Sequence, residues 1–363
     1  MIRLIKPYIS FAEVEEDFRE TFASGIFTKG EHVAALRKEI ARYTGAQYGF
    51  LTTSATTALT SALKILDIKP GDEVIVSDFS FPATANVVED IGALPVFADV
   101  SLDTYNLLPE ELEKKITPKT KSIIFVDAFG NPSGLHAVKE ICRNYKIPLI
   151  EDAACALGSS EHNEKCGNVA DLTCFSFHPR KLLTTGEGGA ITVNDANLAE
   201  RLEIKLNHGA TVATDGTQDF IDYGYNFRMS ELQAIMARKQ LVKIENIITH
   251  RNEIKESYRK YLEPLGFQAQ EIGPGVSHNC QSIVFKVPDG LDRDKLIRYL
   301  RHQGIESTIG TYCLSAGTYY ARKYNMIQPN SYFLEKNTIT LPCYQDIETQ
   351  YVNAAIKNFT DTV

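Results

Sequence analysis

Between Tyr48 and Thr192, short apolar runs alternate with segments of helical period, and no other feature restricts the fold of this chain as strongly. Glu73-Val-Ile-Val76, Leu94-Pro-Val-Phe97, Ser122-Ile-Ile-Phe-Val126 and Ile147-Pro-Leu-Ile150 are rich in β-branched residues. Between them, Ala55–Leu66, Thr84–Ile91, Pro109–Lys115 and Leu135–Tyr145 carry helical patterns. Strand and helix repeated in this way predict an α/β fold, a mainly parallel central sheet with helices on both faces. The runs are continuous rather than alternating, as strands buried on both sides require.

After Thr192 the texture changes. Helices are predicted at Asn197–Leu206 and Ser230–Ile247, the second along a domain boundary, followed by a strand at Ser282–Lys286 and a helix at Asp292–Gln303. A last helix is expected near Gln350–Asn358. A chain of 363 residues is too long for one comfortable core. Residues 1–248, with the N-terminal arm, are therefore expected to form a large domain, and 249–363 a smaller C-terminal α+β domain.

Composition narrows the functional classes. Hydrophobic residues make up 44% and charged residues 23%, values of a soluble globular protein. A net charge of −8 without a long basic block argues against nucleic acid or an anionic membrane as partner. The lysines at 114, 115, 119 and 121 read as a solvated helix end. No run approaches the ~20 apolar residues that cross a bilayer, and the stretch Met1–Phe18 turns acidic too early for a signal peptide. The seven cysteines are odd in number and show neither zinc-site spacing nor a disulfide framework. A cytoplasmic protein with buried free thiols and no metal is expected.

In a doubly wound sheet, ligands gather where the strands end. After the strand predicted at Tyr48–Thr52 comes Thr53-Ser-Ala-Thr-Thr57, opening a helix with apolar positions 55, 58, 59, 62 and 66. Free backbone N–H groups at such a start attract anions, while Ser54 as a plain N-cap explains the same residues. After Ile150 comes Glu151-Asp152, a carboxylate pair that serves either as a turn cap or as partner to a cationic ring nitrogen. The third segment, Cys174-Phe-Ser-Phe-His-Pro-Arg-Lys-Leu-Leu-Thr-Thr-Gly-Glu-Gly-Gly189, holds a lysine between a serine and a glycine turn. A hairpin accounts for its glycines, but not for Ser, Lys and two Thr clustered beside them. It lacks the G-x-G-x-x-G spacing of a dinucleotide site. An anion-binding helix start, a carboxylate and a lysine are together what pyridoxal 5'-phosphate requires. The lysine condenses with the aldehyde, the carboxylate keeps the pyridine nitrogen protonated, and the phosphate rests on the helix.

At this point the chain resembles the DegT/DnrJ/EryC1/StrS sugar aminotransferases, of fold type I. The resemblance runs from Gly25 to about Pro342. It is carried by Pro95-Val-Phe-Ala-Asp99 with Asp103-Thr-Tyr-Asn106, Glu151-Asp-Ala-Ala154, Ser176-Phe-His-Pro-Arg-Lys181, Thr184-Thr-Gly-Glu-Gly-Gly189 and Gly224-Tyr-Asn-Phe-Arg-Met-Ser230. It implies that Lys181 is the catalytic, cofactor-linked lysine and that Asp152 pairs with the ring nitrogen. Ser176, Ala55 and Thr56 would hold the phosphate, with Phe81 stacked on the ring; a core aromatic is the plainer role for Phe81. Asn226 matches a residue that reaches the phosphate from a second subunit, so a homodimer with shared active sites is implied. The implied reaction moves an amino group from L-glutamate, leaving 2-oxoglutarate, to a keto-deoxy sugar carried on a nucleotide diphosphate.

The pattern is not followed everywhere. Ala55 stands where glycine is frequent, and Cys155 stands beside the cofactor where Gln or His is frequent. Tyr312-Cys-Leu-Ser315 replaces Tyr-x-Leu-His, so Tyr312 and Ser315 belong to the wall on which substrate identity depends. His178 is either a cofactor neighbour or a turn residue. Lys29, Arg228 and Arg251 are candidate contacts for a diphosphate, with surface ion pairs the duller role for each. Among competing classes, the sugar 3-dehydratases of the family carry histidine in place of Lys181. A lyase of the same fold lacks the Gly-Tyr-Asn-Phe-Arg-Met run, and a non-catalytic relative predicts a damaged lysine or aspartate. An aminocyclitol aminotransferase shares all the cofactor residues and differs only in its substrate wall.

Overall fold

The computed structural model describes residues 1–212 and 215–362. Its central sheet has seven strands, in the order Tyr48–Thr52, Gly189–Val193, Leu172–Ser176, Leu149–Asp152, Thr120–Val126, Glu73–Ser77 and Leu94–Ala98. The last five are parallel, and Gly189–Val193 runs antiparallel to both of its neighbours. The continuous apolar runs have the cause inferred from them. Val74, Val76 and Ile124 pack with Ala58, Leu59 and Ala62 of the helix Ala55–Ile65. Their neighbours Ile75, Ile123 and Phe125 face the other way, against Leu135, Val138 and Cys142 of the helix Leu135–Tyr145. Successive residues of a strand thus enter separate cores.

The single helix predicted at Ser230–Ile247 is two, Glu231–Leu241 and Ile244–Leu262. The break lies at Val242 and Lys243, where the backbone tightens to a Lys243 N–H···O=C Gln240 bond of 3.1 Å. Neither Gly nor Pro announces it, and the apolar period runs through it. The boundary expected at 248/249 falls inside the second helix. Ile244, Ile247 and Ile248 pack on the central sheet side, whereas Ile254, Tyr258 and Leu262 join a second core.

That second core backs a four-stranded antiparallel sheet in the order Gln268–Ala269, Ile283–Lys286, Thr338–Leu341, Thr308–Ile309. The helices Arg293–His302 and Thr349–Thr360 cover it through Leu296, Leu300, Val352 and Ile356. The start of the N-terminal arm touches this second unit. Ile2 exchanges backbone bonds with Gly304 and Glu306, and Cys343 N–H donates to Leu4 O at 2.9 Å.

Candidate active site

The parallel strands end on a cavity of about 760 Å³. The site begins at the helix Ala55–Ile65. Ser54 is extended (φ −169°), its Oγ accepts from Thr57 N–H at 3.1 Å, and Thr57 Oγ1 accepts from Ser54 N–H at 3.0 Å. This reciprocal cap occupies the third N–H of the helix and leaves those of Ala55 and Thr56, which line the cavity, before the first intrahelical bond. The cap and the anion site are therefore the same structure. Gly189 permits it, because a Cβ there would stand 2.6 Å from the carbonyl carbon of Ser54. Only a residue without a side chain lets that strand press against the helix start.

Asp152 ends its strand with the carboxylate buried. Oδ2 accepts from Thr84 Oγ1 at 2.8 Å, and that hydroxyl is in turn 2.8 Å from Ser80 Oγ. Oδ1 accepts only a long 3.3 Å bond from Ala154 N–H. Burial pushes the Asp152 carboxyl above the usual range, opposed by the Thr84 hydrogen bond and the charge of Lys181. Such an acid is ready for one more cationic donor at Oδ1.

Lys181 stands on the loop that follows the strand Leu172–Ser176. Its Nζ is 3.0 Å from Cys155 Sγ, and among the described residues no carboxylate forms an ion pair with it. The loop is not a solvent hairpin. Thr184 Oγ1 donates to Phe177 O at 3.1 Å and Thr185 Oγ1 to Glu187 O at 2.6 Å, so the two threonines hold the turn. Gln281 brackets the lysine, accepting from Leu182 N–H at 2.6 Å and donating to Arg180 O at 2.7 Å. Gln240 makes a matching pair with the backbone of Thr184.

Around these, the cavity is lined by Ala55, Thr56, Phe81, Cys155, Ser176, His178 and Tyr312. Phe81 is 65% exposed and so is no core aromatic; its ring lies 6.3 Å from that of Tyr312, edge-on. His178 Nδ1 accepts from Arg180 N–H at 3.2 Å, and burial pulls its pKa down, so a neutral turn-capping imidazole faces the cavity. Other expected residues lie elsewhere. Ser315 is buried, its Oγ donating to Asp78 Oδ2 at 2.8 Å, and it does not line the cavity. Arg251 touches the cavity but is 1% exposed, its guanidinium bonded to the carbonyls of Cys280, Gln281 and Cys343 and to Tyr8 Oη. It is a strut rather than a diphosphate ligand. Lys29 and Arg228 both donate to Asn207 Oδ1, at 2.9 and 3.0 Å, in a separate cavity of about 250 Å³. Asn226 is exposed and forms a backbone bridge with Asn207.

Sequence reasoning missed Asp127, which follows the strand Thr120–Val126. Both of its carboxyl oxygens and Glu151 Oε1 are buried without a hydrogen-bond donor among the described residues. Burial, then the charge of Glu151, raises Asp127 well above the ordinary carboxylate range. A raised folded-state pKa gives stability that is present at acid pH and lost as pH climbs from the ordinary range near 4 through the raised value. Asp127→Asn, which keeps the shape of the protonated acid, is expected to be more stable than the parent at pH 8 by on the order of 1–3 kcal/mol. Urea midpoints at pH 5 and pH 8 check this, and an unchanged pH slope contradicts it.

A lysine, a buried aspartate whose Oδ1 carries a single long hydrogen bond among the described residues, and a Ser54-capped helix start with two free N–H groups converge in one cavity, where an amine, an acceptor and a pair of donors match an aldehyde, a pyridinium and a phosphate. A family model described as the DegT/DnrJ/EryC1/StrS aminotransferase family matches residues 10–360. The chain belongs to that family. It is a transaminase that depends on pyridoxal phosphate. The spore coat polysaccharide biosynthesis protein SpsC of Bacillus subtilis is 31% identical over 98% of this chain and 96% of its own length. The aminotransferase TlmJ of Streptoalloteichus hindustanus superposes with a TM-score of 0.92 at 28% identity, covering 99% of this chain and 98% of that one. Spr1654 of Streptococcus pneumoniae, provisionally described as a sugar aminotransferase and solved in its PMP form, gives 0.91 at 28% identity, with 98% of each chain covered. Of the positions at which the sequence departs from the pattern of the DegT-type enzymes, Ala55 and Cys155 line the cavity, whereas Ser315 is turned away from it.

Proposed function

We propose that this aminotransferase moves an amino group from L-glutamate to a keto-deoxy sugar carried on a nucleotide diphosphate, working as a homodimer whose two sites are shared. Residues 1–248 and 249–363 would be its large and small domains. The observation that carries the proposal is the cavity itself. It places Lys181, Asp152 and the Ala55 helix start at its base and extends to the half-exposed Tyr312 at its rim, more room than an amino acid needs. The polysaccharide role in the name of SpsC supports a sugar as acceptor.

The bound cofactor supplies an electron sink for charge developing at the substrate carbon. Asp152 would hold the proton of the ring nitrogen, while Thr84 and Ser80 fix its Oδ2 and hence the carboxylate plane. The N–H groups of Ala55 and Thr56, with Ser176 Oγ, bind the phosphate dianion at the positive end of the helix. Lys181 Nζ, with no carboxylate paired to it among the described residues, would take up and return a proton at the substrate carbon. Phe81, which lines the cavity, would cover one face of the bound ring.

Support for the shared site comes from the second cavity. A backbone bridge between Thr28 and Ser230 brings the Lys29 segment beside Arg228. Phe11, Phe22, Ile26, Val212, Phe220, Ile221 and Tyr223 are all exposed apolar side chains that a second subunit would cover. Asn226→Ala is expected to weaken cofactor retention by roughly tenfold, the worth of one charge-assisted hydrogen bond. Cofactor content after dialysis measures it, and full retention contradicts the shared site. The reaction is tested by adding L-glutamate to the yellow holoenzyme and then offering a panel of keto sugars. Bleaching by glutamate and recovery with one nucleotide-linked keto sugar is the expected result. Recovery only with a keto-cyclitol overturns the proposed acceptor.

A further inference from the structure

Asp78 is completely buried where the strand Glu73–Ser77 ends, and no step above uses it. Among the described residues, three hydrogen bonds to its carboxylate come from one distant segment. Ser315 N–H donates to Oδ1 at 2.7 Å, while Ser315 Oγ and Cys313 Sγ donate to Oδ2 at 2.8 and 3.1 Å. Its own carbonyl accepts from Leu314 N–H at 2.9 Å. The same segment pairs with the short strand Phe79–Ser80, Tyr312 opposite Ser80 and Cys313 opposite Phe79. Behind it, Glu335 Oε2 accepts from Cys313 N–H at 2.8 Å. Four successive residues are thereby fixed, and the one left facing the cavity is Tyr312. Its ring is 46% exposed, and its hydroxyl has no hydrogen-bond partner among the described residues.

We propose that Asp78 is a specificity-determining positioning residue, clamping residues 313–315 so that the Tyr312 phenol stands opposite Phe81 and meets the amino acceptor. The inference rests on the keto-sugar reading above and deepens it. A buried carboxylate with no cation on it is costly to keep ionised, and burial raises its pKa to about 6. Its return is orientation. Three donors on one acid define the position of a backbone far better than apolar contact does, because hydrogen bonds are directional. Tyr312 lines the same cavity as Lys181 while keeping about half its surface open to solvent, a position suited to the part of a large acceptor remote from its reacting carbon. A small amino donor bound beside Lys181 would have no remote part to rest on that wall.

The two half-reactions separate these effects. Glutamate bleaching of the holoenzyme reports the donor half, and recovery with the keto sugar reports the acceptor half. Asp78→Asn is expected to raise the acceptor KM roughly tenfold, as the loss of a charge-assisted anchor predicts, while bleaching by glutamate stays within about twofold. Tyr312→Phe is expected to raise the acceptor KM similarly, and the double variant no further, because both act through one contact. Should Asp78→Asn fail to fold, Ser315→Ala removes a single donor from the clamp and is expected to show the same selective rise, smaller in size. An unchanged acceptor KM, equal losses in both halves, or fully additive effects of Asp78→Asn and Tyr312→Phe would overturn the assignment. A parent enzyme that bleaches with glutamate yet accepts no keto sugar overturns the substrate reading instead.

Discussion

Lys181→Ala is expected to lower turnover by on the order of a thousandfold or more, since it removes both the covalent anchor and the proton carrier. No neighbour replaces it. Cys155 Sγ is 3.0 Å from the amine, but a thiol cannot make the same bond to an aldehyde and release it as a proton shuttle. His178 has its Nδ1 committed to Arg180 N–H. The variant keeps Asp152, Ser176 and the helix start, so cofactor is expected to remain bound non-covalently. Borohydride reduction followed by mass spectrometry separates the cases: the parent gains a covalent cofactor adduct, and the variant does not. Robust turnover by Lys181→Ala would contradict the mechanism outright.

Arg251→Met is expected to cost on the order of 3–5 kcal/mol of stability, the largest loss from a single substitution that the structure suggests. Met matches the length of the side chain but donates nothing. The carbonyls of Cys280, Gln281 and Cys343, with Tyr8 Oη, would lose their shared donor inside a site that is 1% exposed. These acceptors belong to three separate stretches of chain, so the guanidinium fastens the N-terminal arm, the entry to the strand Ile283–Lys286 and the exit from Thr338–Leu341. Arg251→Lys, which keeps the charge but not the fork, is expected to recover only part of the loss. Urea denaturation measures both, and a change under about 1 kcal/mol for Arg251→Met would show that the carbonyls find other partners.

The parts of this molecule that could be read from sequence are those whose cause is local. Ile123, Ile124 and Phe125 announce a strand because burial on both faces demands apolar residues in succession. Asp152 and Lys181 stood out because the one closes such a strand and the other lies on the loop after one, beside a serine and a glycine turn. The helices Phe11–Ser24 and Glu31–Thr44 went unassigned, since their faces are largely polar and only a few side chains, such as Leu36 and Ile40, are fully buried. Thr84 and Gln281 were illegible for a different reason. They meet Asp152 and Leu182 across 68 and 99 residues of chain, and nothing near a Thr or a Gln in sequence records a partner so distant. Ser315 shows the converse error, in which a position resembling a substrate contact is turned inward by a buried acid nearby in space alone.

The bracket made by Gln281 has a mechanical outcome. This residue leads into the strand Ile283–Lys286 of the C-terminal half, yet its amide grips the peptide on either side of the reactive amine. Were that half to tilt as a large ligand settles, the amine would travel with it like a lever on its fulcrum, and the chemistry would register the load before any product formed.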